Sequence, residues 1–265
     1  MGMKVKAVRV RRDRPTPAAW ALALMLTMLA VYLLTLGLSL PRAEQVSASP
    51  RETRTVTFDR LRAYCISMGA YGSPEAARIE AAGYAARGAA GCVVESAGKW
   101  QALGAMYERE KDAQRAAKRL REKGERGAEV VRLEAGKATL RITASRAELE
   151  RIEGINALLR EQVAALDQLA RQLEGGEAQP GTVRTLCAAA STEVSEAGKA
   201  LAAFPGTGKS GVCKGLCDAA AMLAQRLAAV AASGQGPLGM AGMLRLTAME
   251  TFLDLRKLQT EMPDR

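Results

Sequence analysis

One stretch of the sequence matches a pattern that can bind phosphate. Residues 203–210 read AFPGTGKS, a small residue followed by four free positions and then Gly-Lys-Ser. A phosphate loop must join the end of a strand to the start of a helix, so that backbone N–H groups hold the phosphates. The preceding residues, STEVSEAGKALA, carry apolar side chains at helical spacing. We therefore interpret the stretch as a break between two antiparallel helices, and a nucleotide hydrolase built on Gly208, Lys209 and Ser210 remains only a third hypothesis.

Few other residues could perform catalysis. The sequence contains no histidine, which removes the usual general base at neutral pH and the commonest metal ligand. Its cysteines, which are odd in number and lack paired CxxC spacing, are Cys65, Cys92, Cys187, Cys213 and Cys217. Cys213 and Cys217 stand one helical turn apart; we interpret them as small core residues, with a metal or redox pair as the alternative. We expect no cofactor, no metal and no enzymatic activity.

The composition favours cores built between helices. Hydrophobic residues make up 48% of the chain but aromatic residues only 4%, so the core must consist largely of Leu, Ala, Val and Met. The formal net charge of +10 favours an anionic partner, which could be nucleic acid, phospholipid headgroups or an acidic wall polymer. The location of the chain has to decide among these.

A long apolar segment near the N-terminus predicts a membrane anchor. Residues 18–40 contain 23 residues without a charge, nine of them leucine. At about 1.5 Å per residue this segment spans roughly 35 Å, enough to cross a bilayer. The alternatives are a cleaved signal peptide, with Val46 and Ala48 as a small-residue cleavage site, and a buried helix of a soluble domain.

The charges before this segment predict its orientation. Residues 1–17 carry six lysines and arginines against a single Asp13, and the positive-inside rule keeps such a tail in the cytoplasm. Everything after Pro41 is then expected outside the membrane, where nucleotides are scarce and nucleic acid is not an expected partner. Residues 41–57 are polar, contain two prolines and lack helical periodicity, so they are interpreted as a linker.

Residues 58–135 predict a small α+β module. The order of elements is strand, helix, strand, strand, helix, strand, which folds as a four-stranded antiparallel sheet of ferredoxin-like βαββαβ topology. In the first strand Tyr64, Ile66 and Met68 share one face, and Cys65 and Ser67 the other. Both helices are expected on one face of the sheet, and the opposite face is expected to be open.

Motifs in this module resemble those of a known family. ISMGAY ends the first strand, WQALGAMY ends the third, and a helix with Ala113, Ala116, Leu120 and Gly124 follows. This pattern resembles the SPOR (sporulation-related repeat) domain. The resemblance implies a peptidoglycan-binding module that uses its open sheet face to recognise glycan strands stripped of their stem peptides. It also implies the layout predicted above, a single-pass anchor, a short tether and the domain outside the membrane.

The resemblance also implies a binding site, carried over position by position. The glutamine of the family's first strand corresponds to Ser67 and its nearby serine to Ala70. The family's third-strand arginine corresponds to Gln101, and its aromatic residue falls near Lys99 or Trp100. The expected glycan-binding residues are Ser67, Ala70, Lys99, Trp100, Gln101 and Val131.

The C-terminal half predicts helices. Residues 137–145 are expected to add one more strand, and Ser145 with Glu148 then forms a capping box that opens a long helix. Three further helical segments are predicted at about 181–203, 212–232 and 238–260, separated by Gly- and Pro-rich breaks. Residues 136–265 are thus expected to form a strand extension and an antiparallel four-helix bundle.

Besides the nucleotide hydrolase, the sequence leads to two main hypotheses about function. The first is a single-pass membrane protein that binds peptidoglycan glycan strands and acts in envelope remodelling, septation or sporulation, alongside septal or sporulation proteins. The second keeps the same fold but makes it a membrane-anchored scaffold for protein interactions, whose SPOR-like sheet no longer binds glycan.

Overall fold

A computed structural model of the chain describes residues 50–96 and 98–262, which belong to one compact unit. The predicted basic tail, the predicted transmembrane helix and the first part of the predicted linker lie outside these residues. The described part is α+β. Its strands are β1 (Arg51–Phe58), β2 (Leu61–Tyr71), β3 (Cys92–Ser96), β4 (Lys99–Tyr107), β5 (Glu129–Ala135) and β6 (Ala138–Ser145). Its α-helices are α1 (Pro74–Ala85), α2 (Glu110–Glu122), α3 (Arg146–Glu174), α4 (Pro180–Ala202), α5 (Gly211–Ala232) and α6 (Pro237–Glu261).

The predicted βαββαβ module is confirmed. Strands β2 to β5 form an antiparallel sheet in the order β3-β4-β2-β5. The helix α1 begins at Pro74, and the Ser73 side chain caps it by accepting a hydrogen bond from the Ala76 N–H at 3.2 Å. Both α1 and α2 contact the sheet, and α2 buries Ala113 and Ala117 completely. Ile66 and Met68 of β2 form a small core with Tyr84 of α1 and Leu120 of α2.

The interpretation of residues 41–57 as a linker is wrong for residues 51–57. These residues belong to β1, which pairs antiparallel with β6 along its whole length, from Arg51 opposite Ser145 to Phe58 opposite Ala138. Val56 and Phe58 are 1% and 2% exposed. Val56 pairs with Leu140, a partner 84 positions away in the sequence, so the local polarity of residues 51–57 could not indicate the pairing. The strand predicted at 137–145 is confirmed as β6, which begins one residue later, at Ala138.

The predicted helical segments of the C-terminal half are confirmed within about one residue at each end. The Ser145 side chain caps α3 by accepting from the Glu148 N–H at 3.3 Å. Consecutive helices from α3 to α6 contact one another, and α3 also contacts α6, which closes a four-helix bundle. Its core is built from aliphatic side chains and Ala, as the composition predicts.

One helix of the described residues, α5, is long and apolar enough to cross a membrane, judged by length and composition alone. In the bundle, eight of its residues are buried, among them Leu216, Leu223 and Leu227, each 0% exposed. One side of α5 therefore belongs to the core of the bundle. The segment that we predict to span the membrane, residues 18–40, is a different one and lies outside the described residues.

The phosphate-loop pattern lies in a helix–turn–helix, as predicted. The helix α4 ends at Ala202, a 3-10 turn covers Thr207–Lys209, and α5 begins at Gly211. The Thr207 hydroxyl donates to the Leu201 carbonyl at 3.0 Å. The Ser210 side chain accepts from the Cys213 N–H at 3.3 Å and so caps α5. The stretch therefore follows a helix, and its two hydroxyl groups hold the turn between two helices.

We expect Ser210→Ala to lower the free energy of unfolding by about 1 kcal/mol, because it removes the N-cap of α5. Ser210→Asp should retain most of the stability, since aspartate caps equally well. Urea denaturation followed by circular dichroism measures both. A wild-type chain that binds ATP and loses that binding in Ser210→Ala would instead restore the nucleotide hypothesis.

Candidate functional site

The face of the β2–β5 sheet opposite α1 and α2 carries the predicted binding surface. Residues that pair across antiparallel strands point to the same face, so the register defines this surface. Cys65 lies between Met106 and Val131, Ser67 is opposite Leu103, and Ala70 is opposite Gln101. We call this the bundle-side face, because its residues Ala63, Cys65, Cys92, Leu103, Met106 and Leu133 share one core with the helical bundle.

The structure brings five of the six predicted glycan-binding residues to one face. Ser67, Ala70, Gln101 and Val131 lie on the bundle-side face by their pairing, and Lys99 shares it as the second neighbour of Gln101 along β4. Trp100 pairs with Tyr71 and Glu95 and points to the opposite face. Of the two alternatives for the aromatic position, only Lys99 is therefore on the predicted surface, and it is not aromatic.

Exposure divides these residues into two groups. Ser67 is buried, and its hydroxyl donates to the Gly69 carbonyl at 3.1 Å. Val131 is half-buried and packs against the common core. Ala70 and Lys99 are exposed, whereas Gln101 is half-buried. Only the end of the sheet that carries Ala70, Lys99 and Gln101 is thus within reach of a ligand in this arrangement.

The Gln101 side chain is notable within this end of the sheet. Its Oε1 atom is buried and has no hydrogen-bond partner among the described residues. An unsatisfied buried acceptor costs about 1–3 kcal/mol, and such groups are uncommon in native structures. A ligand hydroxyl that donated to this oxygen would remove the cost.

The expectation of an open sheet face is wrong. The helix α6 contacts β3, β4 and β5, and it contributes Met249, Phe252 and Leu255 to the same core as the sheet residues. The physical reason is the composition of the face, since an apolar sheet face exposed to water is unfavourable and must be covered. The strand β2 reads AYCISM, which is apolar on both faces. This signal was present in the sequence, because strands covered on both faces read as continuous apolar runs.

Polar contacts fix α6 at both ends of this interface. Near its C-terminus, the Gln259 side-chain amide donates to the carbonyls of Phe58 at 3.2 Å, Asp59 at 3.0 Å and Gly136. Arg256 donates to the Glu134 carbonyl at 3.1 Å. Neither contact could be predicted from the sequence, because a polar residue on a bundle helix does not indicate which distant carbonyls it will meet.

The N-terminal half of α6 lies against the segment between α1 and β3. Arg245 donates to the Gly88 carbonyl at 2.9 Å and also pairs with Glu174 of α3. Gly242 lies so close to this segment that a Cβ atom built on it would stand 3.0 Å from the Ala89 carbonyl oxygen. The close approach of two backbones explains why a glycine occupies the interior of a helix here.

Two thiols are enclosed beneath α6. Cys65 and Cys92 are 0% and 6% exposed. Burial raises the pKa of the Cys65 thiol to about 12, and the nearby Cys92 adds to this shift. Burial likewise raises the pKa of Cys92 to about 12; Glu250 raises it further and Arg226 opposes. These thiols are unreactive at neutral pH as long as the interface stays closed, since the thiolate is the nucleophile.

The remaining cysteines belong to the helical bundle, where Cys213 is buried as predicted and Cys217 is half-buried against the core. The Cys217 thiol contacts the Gly198 carbonyl at 3.6 Å, and Cys187 is buried with its pKa raised by burial to about 11. Within residues 50–96 and 98–262, no group of three or more acidic or cysteine side chains could hold a metal ion.

Comparison with known families gives one match. The family model of the SPOR domain matches residues 61–132, close to the predicted limits of 58–135. Proteins with this domain generally bind peptidoglycan and act in cell division or the cell envelope, and the domain is a binding module rather than a catalytic one. Neither the comparison with curated proteins nor the comparison with solved structures gives a significant match.

Proposed function

Because residues 61–132 form a SPOR domain, we propose that the protein is a membrane-anchored envelope protein that binds peptidoglycan glycan strands through this domain. The family match is the observation that carries the proposal. The predicted anchor at residues 18–40 holds the chain to the membrane with its N-terminus in the cytoplasm and residues 41–265 outside. Septation and sporulation are the processes in which such a protein would act, together with septal or sporulation proteins.

The end of the bundle-side face provides the first contact with glycan in this proposal. Lys99 is exposed there, and the buried Gln101 oxygen lacks a donor. Removal of a stem peptide leaves a carboxylate on the sugar, which the Lys99 ammonium can pair with. A sugar hydroxyl can donate to the Gln101 oxygen once that side chain turns outward. The covered remainder of the face, including Ser67 and Val131, joins the site only when α6 moves away.

This arrangement makes the C-terminal bundle a cover of the glycan-binding face. The bundle and the sheet share one core and several buried hydrogen bonds, so displacement has to be driven by a ligand or partner that binds the open form better. The closed chain therefore binds weakly, and binding strengthens when the interface opens.

Retention on peptidoglycan tests the proposal. We expect the full chain, solubilised in a non-ionic detergent, to be retained on sacculi treated with an amidase more than on untreated sacculi. Gln101→Ala and Lys99→Ala should each weaken retention by about fivefold, as expected for the loss of one hydrogen bond or ion pair of roughly 1 kcal/mol.

Arg141→Ala is the matched control for charge, since Arg141 is exposed on β6 and remote from the sheet face. Its retention should equal that of the wild type. If neither sacculus retains the chain, even when the interface has been opened as described in the Discussion, glycan binding is wrong.

A specific observation favours the second candidate function, a scaffold for protein interactions. The bundle-side face is filled with apolar side chains, and the Ser67 hydroxyl already donates to the Gly69 carbonyl in the same strand. The centre of the face therefore offers few hydrogen-bonding groups to a sugar. Crosslinking in intact cells separates the two functions, because a scaffold would be recovered with proteins and without glycan. Septal localisation of a fluorescent fusion would be compatible with both.

A further inference from the structure

A second concave surface lies at the opposite end of the sheet from Lys99. It is a cleft of about 1000 Å³, at the upper end of the range of small-ligand sites. One wall consists of the start of β2, the end of β4 and the start of α2; the other wall consists of α3, with α6 below. We call it the arginine cleft; its arginines are Arg60, Arg62, Arg109, Arg160 and Arg171.

The floor of the arginine cleft is apolar. Leu61, Met106, Phe252 and Leu255 reach it from three elements, and each is less than 10% exposed. Val163 of α3 is half-buried beside them. These side chains belong to the common core, so their positions are fixed by packing. The small part of their surface that faces the cleft can contact an apolar side chain of a ligand.

The acidic residues of the cleft are mostly neutralised by partners. Asp167 pairs with Arg171, and Asp112 pairs with Arg115 outside the cleft. Burial raises the pKa of Asp167, although Arg171 opposes this shift. Glu108 is exposed at the rim. The negative field inside the cleft is therefore small.

The cations of the cleft are much less neutralised. Arg62 and Arg109 are exposed and form no salt bridge among the described residues. Glu134 lies opposite Arg62 in β5, and the Arg62 charge helps to lower the pKa of that carboxyl. Arg160 uses its guanidinium to donate to the carbonyls of Asp59 at 2.9 Å and Arg60 at 3.4 Å, which leaves its charge unpaired. Arg60 is 4.0 Å from Glu134, with its side chain 56% exposed. The rim of the cleft thus presents several positive charges around an apolar floor.

This combination selects for one ligand chemistry. Guanidinium groups bind carboxylates in bidentate geometry, whereas burial of apolar side chains against the floor is favourable. A peptide that carries both acidic and apolar residues meets both demands, since its apolar side chains can contact the floor while its carboxylates reach the guanidinium groups of the rim. We propose that the arginine cleft binds an acidic, apolar-containing segment of a partner protein, with carboxylates at Arg60, Arg62 and Arg109 and apolar side chains against Met106 and Val163.

A peptide-binding measurement on the full chain in non-ionic detergent tests this proposal. The probe is a fluorescein-labelled octapeptide of alternating Glu and Leu, and its neutral counterpart carries Gln in place of Glu. We expect fluorescence anisotropy to show saturable binding of the acidic probe, and binding of the neutral probe that is more than about tenfold weaker. Arg62→Glu and Arg109→Glu should each lower the affinity for the acidic probe by about fivefold or more.

The control variant is Arg141→Glu, which makes the same change in net charge on an exposed strand away from the cleft. It should leave the affinity within about twofold of the wild type, since a remote surface charge is largely screened. Equal losses in Arg141→Glu and Arg62→Glu would show binding through net charge alone and overturn the proposal. Absence of binding, equal affinity for the neutral probe, or displacement of the probe by muropeptides at lower concentration than by unlabelled peptide would also overturn it.

Discussion

Gly242→Leu is expected to open the interface between α6 and the SPOR sheet. A Cβ atom at position 242 would already stand 3.0 Å from the Ala89 carbonyl oxygen and 3.4 Å from that of Ala85, and leucine adds three more carbons. These neighbours are backbone atoms that cannot rotate away, so α6 has to move. Overpacking of this kind costs about 1–3 kcal/mol, which raises the population of the open form by about fivefold or more.

The thiols beneath α6 report on this opening. In the closed form Cys65 and Cys92 are buried, and their pKa values are raised to about 12, so they should react slowly with a maleimide at neutral pH. Opening exposes them to water and lowers their pKa toward the ordinary value, which increases the reactive thiolate fraction. We expect labelling of both cysteines to accelerate by about tenfold in Gly242→Leu, measured by peptide mass spectrometry.

The same variant tests whether α6 covers a glycan-binding surface. If opening exposes that surface, retention on amidase-treated sacculi should rise in parallel with thiol labelling. Faster labelling of Cys65 and Cys92 without a rise in retention on sacculi would show that α6 covers the sheet face. It would also contradict the proposal that this face binds glycan.

A second glycine provides the matched control for Gly242. Gly154 lies in the interior of α3, it is exposed, and no atom lies within 4 Å of a Cβ built on it. Gly154→Leu therefore makes the same chemical change without a clash, and it should stabilise α3 by roughly 0.5–1 kcal/mol through helix propensity. Labelling of Cys65 in this variant should stay at the wild-type rate. Rapid labelling of Cys65 in the wild type itself would show that α6 does not cover the face.

Gln259→Glu is expected to lower the free energy of unfolding by about 2–4 kcal/mol. The wild-type amide is 7% exposed and donates to three carbonyl oxygens at the β1–β2 and β5–β6 turns. Glutamate has the same shape, but its ionised carboxylate only accepts hydrogen bonds and would face those oxygens in a buried site. Loss of the donors and burial of an unpaired charge both contribute to the cost.

The pH dependence of this variant has a definite sign. Burial and the neighbouring carbonyls raise the pKa of the introduced carboxyl in the folded state above its unfolded value. The cost is therefore fully present above the folded-state pKa and declines as the pH falls through it, because the protonated acid can donate one hydrogen bond. Urea denaturation of Gln259→Glu at pH 7.5 and pH 5 measures the difference.

Two variants separate the hydrogen bonds from the shape of the side chain. Gln225→Glu makes the same chemical change on an exposed position of α5 and should alter stability by less than about 0.5 kcal/mol. Gln259→Met keeps the volume but removes the donors, so it should fall between the wild type and Gln259→Glu. Equal stabilities of Gln259→Glu and the wild type would mean that the amide does not tie α6 to the turns.

Local patterns in the sequence determined where the helices and strands lie and which side of each is apolar. The alternation in β2 assigned Ile66 and Cys65 to opposite faces, and the helical stripes with their Gly and Pro breaks located α4, α5 and α6 within about one residue. Ser145 was identified as a cap because a cap depends only on the next three residues. The SPOR motifs were recognised for the same reason, since each occupies a short continuous stretch.

The tertiary structure decided which surfaces meet. Residues 51–57, predicted to be a linker, form β1 because they pair with β6, in which Leu140 lies 84 positions from its partner Val56. The sheet face that was expected to be open is covered by α6, which is held there by contacts of Gln259, Arg256 and Gly242. Periodicity reveals that a face is apolar but not what will cover it, because every apolar stripe in a chain is a suitable partner for every other. The choice among them depends on the fit of backbones and on buried polar groups that find each other only in three dimensions.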